Sequence, residues 1–186
     1  MQTEALNSSH ENAPDSATIR HAIRPGDIGS IVHLHGILYA REYNFDATFE
    51  AYVAGPLAEF VISGTDRDRI WIAERNGRLA GCIAIVAAST DQAQLRWFLV
   101  DPSARGLGLG KRLLGDAVAF CRERNYRSII LWTVGALTTA GGLYRAAGFH
   151  KTEQHATHQW GVDVVEEKYE MSLEDGQQDF PAGRII

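Results

Sequence analysis

The stretch that most constrains this 186-residue chain is Arg105-Gly106-Leu107-Gly108-Leu109-Gly110. Before it, residues 94–100 read as a largely apolar strand that runs straight into the glycines. After it, Leu109, Leu113, Leu114, Ala117, Phe120 and Cys121 recur at helical spacing. A strand therefore runs through a glycine turn into a helix. Glycines at alternate positions can take φ > 0 and let an anion approach the backbone amides. Those amides and the helix N-terminus form an anion nest, to which the helix dipole adds about half a unit charge. Arg105, Lys111 and Arg112 bring full charges to the same place. Other glycine motifs fit poorly. A P-loop requires a first glycine where Arg105 stands and Ser or Thr where Arg112 stands, and the GxGxxG spacing puts its third glycine one residue later. The segment predicts a phosphate-binding strand–loop–helix.

The rest of the chain supplies a mixed α/β layout. Residues 17–23 suit a strand, and Pro25-Gly26 turns the chain so that Asp27 can cap a helix carrying Ile28, Ile31, Val32, His35, Leu38 and Tyr39 on one pattern. A second helix is expected from Asp46, burying Phe49, Tyr52, Val53, Leu57 and Phe60, with a kink or break at Gly55-Pro56. Residues 70–74 and 79–87 read as strands joined by the type I′ signal Asn76-Gly77. After the glycine loop and its helix come a buried strand at 128–133, a helix at 138–147 stopped by Gly148, and strands at 149–153 and 162–173. One domain is expected over residues 17–173, between a mobile tail at 1–16 and a C-terminal tail at 174–186.

Bulk properties narrow the function class. A net charge of −5 argues against a nucleic-acid binder that needs a broad basic face, yet permits one local basic patch. No apolar run approaches the roughly 20 residues that span a bilayer, and residues 1–15 lack the regions of a secretory signal. Cys82 and Cys121 read as buried, reduced thiols. A cytoplasmic location and no membrane partner are expected. His155 and His158 lack further nearby ligands, so no metal is expected.

Two groups of residues then point to a family. Arg105-x-x-Gly108-x-Gly110, preceded by a strand and Asp101-Pro102, resembles the R/Q-x-x-G-x-G/A signature of the GNAT superfamily of N-acetyltransferases. Leu143-Tyr144-Arg145-Ala146-Ala147-Gly148-Phe149 resembles its second landmark, a tyrosine on a helix ended by Gly-Phe. More narrowly, Tyr39-Ala40-Arg41-Glu42-Tyr43, Trp132-Thr133, Trp160-Gly161 and Tyr169-Glu170-Met171 resemble the acetyltransferase half of bacterial proteins that join a MarR-type regulator to such a domain; this chain has no room for the regulator half. The resemblance implies a central mixed, mostly antiparallel twisted sheet of about seven strands with helices on both faces, splayed at the cofactor site. It implies acetyl-CoA as cosubstrate, held by Phe98, Leu99, Val100, Arg105, Gly106, Leu107, Gly108, Leu109, Gly110 and Lys111, with one amide near Leu99 on the thioester carbonyl.

By the same resemblance, Tyr144 is the expected general acid. Where relatives often carry Asn, seven residues before it, this chain has Leu137, and Thr138 is the possible substitute. The general base stays open among Glu42, Glu74, His35 and a water relay. The acceptor pocket is expected from Glu42, Tyr43, Phe45, Arg96, Trp97 and Trp160, with Arg96 able to hold a carboxylate. The expected reaction is acetyl transfer to a primary amine of a small molecule. A protein lysine or N-terminal acetyltransferase and a non-enzymatic CoA-binding sensor are the alternatives, and a homodimer through the C-terminal strands is plausible by the same likeness.

Overall fold

The computed structural model describes residues 17–174. The tails expected at 1–16 and, past its first residue, at 174–186 lie outside that range. In chain order the elements are β1 (Thr18–Arg20), α1 (Asp27–Tyr43), α2 (Thr48–Ser63), β2 (Arg69–Arg75), β3 (Arg78–Ala87), β4 (Gln92–Val100), α3 (Leu109–Glu123), β5 (Ser128–Val134), α4 (Thr138–Ala146), β6 (His150–Gln159) and β7 (Val162–Ser172). The strands form one sheet in the order β1-β2-β3-β4-β5-β7-β6. Every pairing is antiparallel except β4 with β5.

Two apolar cores flank the sheet. On one face Leu113, Leu114, Ala117, Phe120 and Cys121 of α3 pack with Trp71, Ile83, Leu95, Ile129 and Tyr169. On the other, Ile31, Leu34 and Leu38 of α1 meet Phe49, Val53 and Leu57 of α2 above Ile70, Ile72, Cys82 and Ala84. The helical spacing of those residues puts each set on one stripe, and burying it is what docks the helix. Arg20 bridges Asp27 at 2.6 Å and Glu74 at 2.8 Å, fastening short β1 and the start of α1 to β2.

Four local expectations change. The first strand is three residues long rather than seven. Asp27 is not a helix cap: Gly26 occupies that position, and the Asp27 carboxylate turns back to Arg20 and the Arg24 amide. The second helix starts at Thr48 and runs unbroken through Pro56; burial of Phe49, Val53 and Leu57 outweighs the roughly 3 kcal/mol that an interior proline costs. The strand expected to end at Glu153 continues to Gln159. It returns through Trp160-Gly161, both at positive φ (53° and 79°), the pair of conformations a two-residue hairpin turn needs.

Candidate active site

The sheet opens where β4 and β5, its one parallel pair among the described residues, diverge. β4 and β5 are in register at Gln92–Ser128, Ala93–Ile129 and Gln94–Ile130. Beyond those rungs the two strands separate, and their remaining residues line cavities on either side of the gap. A bulge in β4 sharpens the opening. The register steps from Ala84–Arg96 to Cys82–Leu99, so Trp97 and Phe98 together face Ile83. Trp97 takes φ 48°, a region bulky residues rarely enter, and its carbonyl accepts the Cys82 thiol at 3.0 Å. The extra residue swaps the strand's faces: Ala93 and Leu95 join the core under α3 before the bulge, while Phe98 and Val100 do so after it.

This register decides which amides remain free. The Asp101 amide donates to the Ala80 carbonyl at 2.9 Å, and Leu99 stands opposite Cys82. By antiparallel alternation the Leu99 amide points to β3, and those of Phe98 and Val100 point into the gap. The Val100 carbonyl also lies there, accepting Arg105 Nε at 3.2 Å.

At the outer end of the gap is a cavity of about 390 Å³, bounded by β4, the glycine loop, the start of α3, α4 and the end of α1. Gly108 takes φ 76° at the α3 N-cap, and its carbonyl accepts the Arg112 amide. The amides of Leu109, Gly110 and Lys111 therefore have no carbonyl in the helix to bond. A Cβ on Gly106 or Gly108 would meet nothing within 4 Å, so the backbone there is open to a ligand. Gly110 is different: a Cβ there would meet the side chains of Leu143, Phe98 and Val100 at 3.4–3.6 Å. Lys111 lines the cavity without a partner among the described residues. Arg105 is less free, since its guanidinium lies 2.9 Å from Glu42 and so ties the loop to α1.

A second cavity of about 110 Å³ opens on the α1–α2 side of the gap. Phe45, Phe49, Tyr52 and Trp160 wall it with interlocked rings, and Trp160 lies 4.9, 5.1 and 5.2 Å from Phe45, Phe49 and Tyr52. Tyr39, Phe98 and Leu137 line both cavities and mark where they meet. Tyr144 reaches the inner cavity from α4. Its ring is 4% exposed, set among Phe98, Phe149 and Tyr169, and its hydroxyl has no hydrogen-bond partner among the described residues. Burial raises the Tyr144 and Tyr39 phenols well above their ordinary values, so both keep their protons at any physiological pH. His35 donates Nδ1–H to the Ile31 carbonyl at 2.9 Å, while burial lowers its pKa to about 4 and leaves it neutral.

A splayed parallel pair, an open amide nest at a helix start and a tyrosine at the junction form one arrangement, and comparison with known proteins gives it a family. The sequence profile of the acetyltransferase (GNAT) family matches residues 35–149. The chain belongs to the GNAT acetyltransferase family. Human N-acetyltransferase 8B is 30% identical over 95 residues, which are 48% of this chain and 42% of that protein. The chain thus spans less than half the length of that relative. Among solved structures, a GNAT acetyltransferase from Staphylococcus aureus Mu50 aligns over 86% of this chain and all of its own, with TM-score 0.70 and 21% identity. A GNAT acetyltransferase from Elizabethkingia anophelis with acetyl-CoA bound aligns over 86% and 99%, with TM-score 0.60 and 15% identity. At such identities the likeness is one of fold, and the mixed seven-stranded sheet with helices on both faces is that fold. The family is one of acetyltransferases, and the Elizabethkingia anophelis structure of this fold holds acetyl-CoA.

Within that family frame, the residues singled out in the sequence divide between the two cavities. Phe98, Leu99, Val100, Arg105, Gly106, Gly108, Leu109, Gly110 and Lys111 line the outer one, whereas Leu107 points away and is exposed. Thr138 begins α4 outside the lining, and its neighbours Thr139 and Ala140 face the cavity instead. Glu42 and Tyr43 also face the outer cavity, away from the aromatic wall, while Arg96, Trp97 and Trp160 line the inner one. Glu74 is remote from both, engaged by Arg20. Tyr39, Phe49 and Tyr52, read from the sequence as helix-packing residues, line the inner cavity; their helical spacing serves packing and lining alike. Glu166 of β7, which no motif marked, is the carboxylate on that lining. Among the described residues no three His, Cys, Asp or Glu side chains converge as a metal site requires, and no helix is long and apolar enough to cross a membrane.

Proposed function

We propose that this chain transfers an acetyl group from acetyl-CoA to the primary amine of a small molecule by direct attack, without a covalent enzyme intermediate. The observation that carries this is the meeting of two cavities at Tyr39, Phe98 and Leu137, one with an amide nest and one with an aromatic wall. The Leu109, Gly110 and Lys111 amides and the Lys111 ammonium hold the pyrophosphate. Strand β4 pairs with the pantetheine arm through the free groups of Phe98 and Val100. The Phe98 amide, rather than Leu99, then donates to the thioester carbonyl. Such a donor is worth most as negative charge builds on that oxygen, about 2.7–4 kcal/mol for a strong contact.

The amine enters from the inner cavity; its nitrogen forms the new C–N bond as the C–S bond breaks. Its surplus proton leaves to water, since Glu42 is engaged by Arg105, Glu74 by Arg20, and His35 is too weak a base. Tyr144 places its O–H at the departing sulfur. Burial keeps that proton in place and also holds it above the roughly 8.5 of a free thiol. Tyr144 therefore acts first by hydrogen-bonding the thiolate, and full transfer is easiest where the same desolvation raises the thiol.

A narrow inner cavity suits a compact acceptor better than a polypeptide, which needs an open groove. Kinship with MarR-linked acetyltransferases, supported by the residue strings given above, is a further part of the reading, as are a homodimer through β6 and β7, by family likeness, and a cytoplasmic setting. The test is thiol release from acetyl-CoA across a panel of amines, peptides and proteins. Release dependent on a small amine supports the reading. Tight acetyl-CoA binding without turnover on any acceptor would make the chain a sensor instead.

A further inference from the structure

The inner cavity has a composition that selects among amines. Four aromatic rings form its mouth, and the turn carrying one of them is built under strain. Trp160 sits at φ 53°, in a region costly for a bulky side chain. A Cβ on the next residue, Gly161, would come within 2.8 Å of the Asp46 carboxylate, and the Asp46 amide donates to the Trp160 carbonyl at 2.9 Å. The β6–β7 hairpin is thereby pinned against the α1–α2 connection, which sets the Trp160 ring beside Phe45, Phe49 and Tyr52. Tyr52 nevertheless remains 48% exposed. An exposed aromatic held beside a strained one is a surface that gains from a flat apolar ligand.

The charges on the lining are equally specific. Arg96 lines this cavity and also a neighbouring one beside α2, its guanidinium 5.1 Å from the Trp97 ring centre. It makes no ion pair and no hydrogen bond among the described residues, although guanidinium groups readily bind carboxylates in a two-pronged fashion. Among the described residues Glu166 is the single carboxylate on the lining, and it is occupied by His155 Nε2 at 2.9 Å. One engaged acid is too little for a polyamine or an aminoglycoside, each of which needs several. The volume of about 110 Å³ is of the order that accommodates one aromatic ring.

We propose that the acceptor is an aromatic α-amino acid or a close analogue, its ring held among Phe45, Phe49, Tyr52 and Trp160, its carboxylate on Arg96, and its amine turned toward Phe98 and Tyr39. This rests on the acetyltransferase reading above and narrows it to one substrate class. The test combines acetyl-CoA calorimetry with thiol-release rates on tryptophan, phenylalanine, their decarboxylated amines, leucine, spermidine and a lysine peptide. The expected result is kcat/KM at least about tenfold higher for the aromatic amino acids than for any other class. Arg96→Met should raise KM about tenfold for tryptophan and leave tryptamine unchanged, while Tyr52→Ala should weaken both aromatic ligands and spare leucine. Acetyl-CoA binding with preferred acetylation of spermidine, leucine or the peptide overturns the proposal and leaves the acetyltransferase reading standing. An Arg96→Met effect equal on tryptophan and tryptamine also overturns the proposal, as does binding with no acetylation of the aromatic amino acids; if no acceptor at all is acetylated, the acetyltransferase reading falls with it. Failure to bind acetyl-CoA overturns both.

Discussion

Tyr144 occupies a position where packing and the proposed chemistry ask for the same thing, a phenol with its ring buried and its hydroxyl without a partner among the described residues. Removing that hydroxyl leaves the ring contacts to Phe98, Phe149 and Tyr169 in place. Tyr144→Phe should therefore fold normally, bind acetyl-CoA nearly as the parent does, and lose about 10²-fold in kcat, the low end for a general acid. Steady-state kinetics beside calorimetry separates the two effects, and a parental kcat removes Tyr144 from the chemistry. Gly108 poses the opposite case. At φ 76° beside open space it serves backbone geometry and an unobstructed nest. Gly108→Glu adds strain, bulk and negative charge at once, and acetyl-CoA affinity should fall below detection in calorimetry. Unchanged affinity would remove the loop from the cofactor site. Both residues were legible from the sequence because their neighbours fix their context. Glu166 and Tyr39 were not, since a strand glutamate and a helix tyrosine carry no local signature and only the tertiary fold brings them to one cavity.

At the scale of elements, α1 does more than cover the sheet. It carries Glu42 to the glycine loop, Tyr39 to the junction and His35 into the core, where the imidazole stacks 6.0 Å from the Tyr39 ring. His35 titrates near pH 4 when folded and near 6.5 when unfolded. Between those values the unfolded chain binds more protons, so stability rises with pH across that window and is lost on acidification. The full effect is about 3 kcal/mol at most. Thermal unfolding should shift downward from pH 6.5 to 4.5, and His35→Leu should flatten that slope, because the Ile31 carbonyl keeps its helical partner. Asp27 and Glu74, held below the usual carboxylate range by Arg20, act in the same direction but only at lower pH. An unaltered slope in the variant would place the acid sensitivity elsewhere. The elements were readable where periodicity was clean, as in α3 and β5. β6 was half missed because its sequence, from His150 to Gln159, is polar at every position but Ala156 and lies at the sheet edge, paired among the described residues with β7 alone. Its turn is closed by Trp160-Gly161 rather than by an Asn-Gly pair, so tertiary anchoring on Asp46 supplies what local propensity does not.

For the whole molecule, the decisive property is that one sheet is interrupted at a single place and each side of the interruption is furnished differently. Toward the α3–α4 end it offers open amides and a lysine, and toward the α1–α2 end aromatic rings and an arginine, neither cation having an ion pair among the described residues. The interruption follows from a parallel pair inside an otherwise antiparallel sheet together with the Trp97 bulge, and the bulge has no sequence signal apart from its position. Membership in the GNAT family explains the first side, and the second belongs to this chain's own residues. The most direct measurement is a crystal structure of the chain with acetyl-CoA. The pyrophosphate is predicted on the Leu109, Gly110 and Lys111 amides, with the thioester carbonyl at the Phe98 amide and the sulfur at the Tyr144 hydroxyl. Acetyl-CoA bound outside the β4–β5 gap, or with its thioester turned away from Tyr144, would contradict the account.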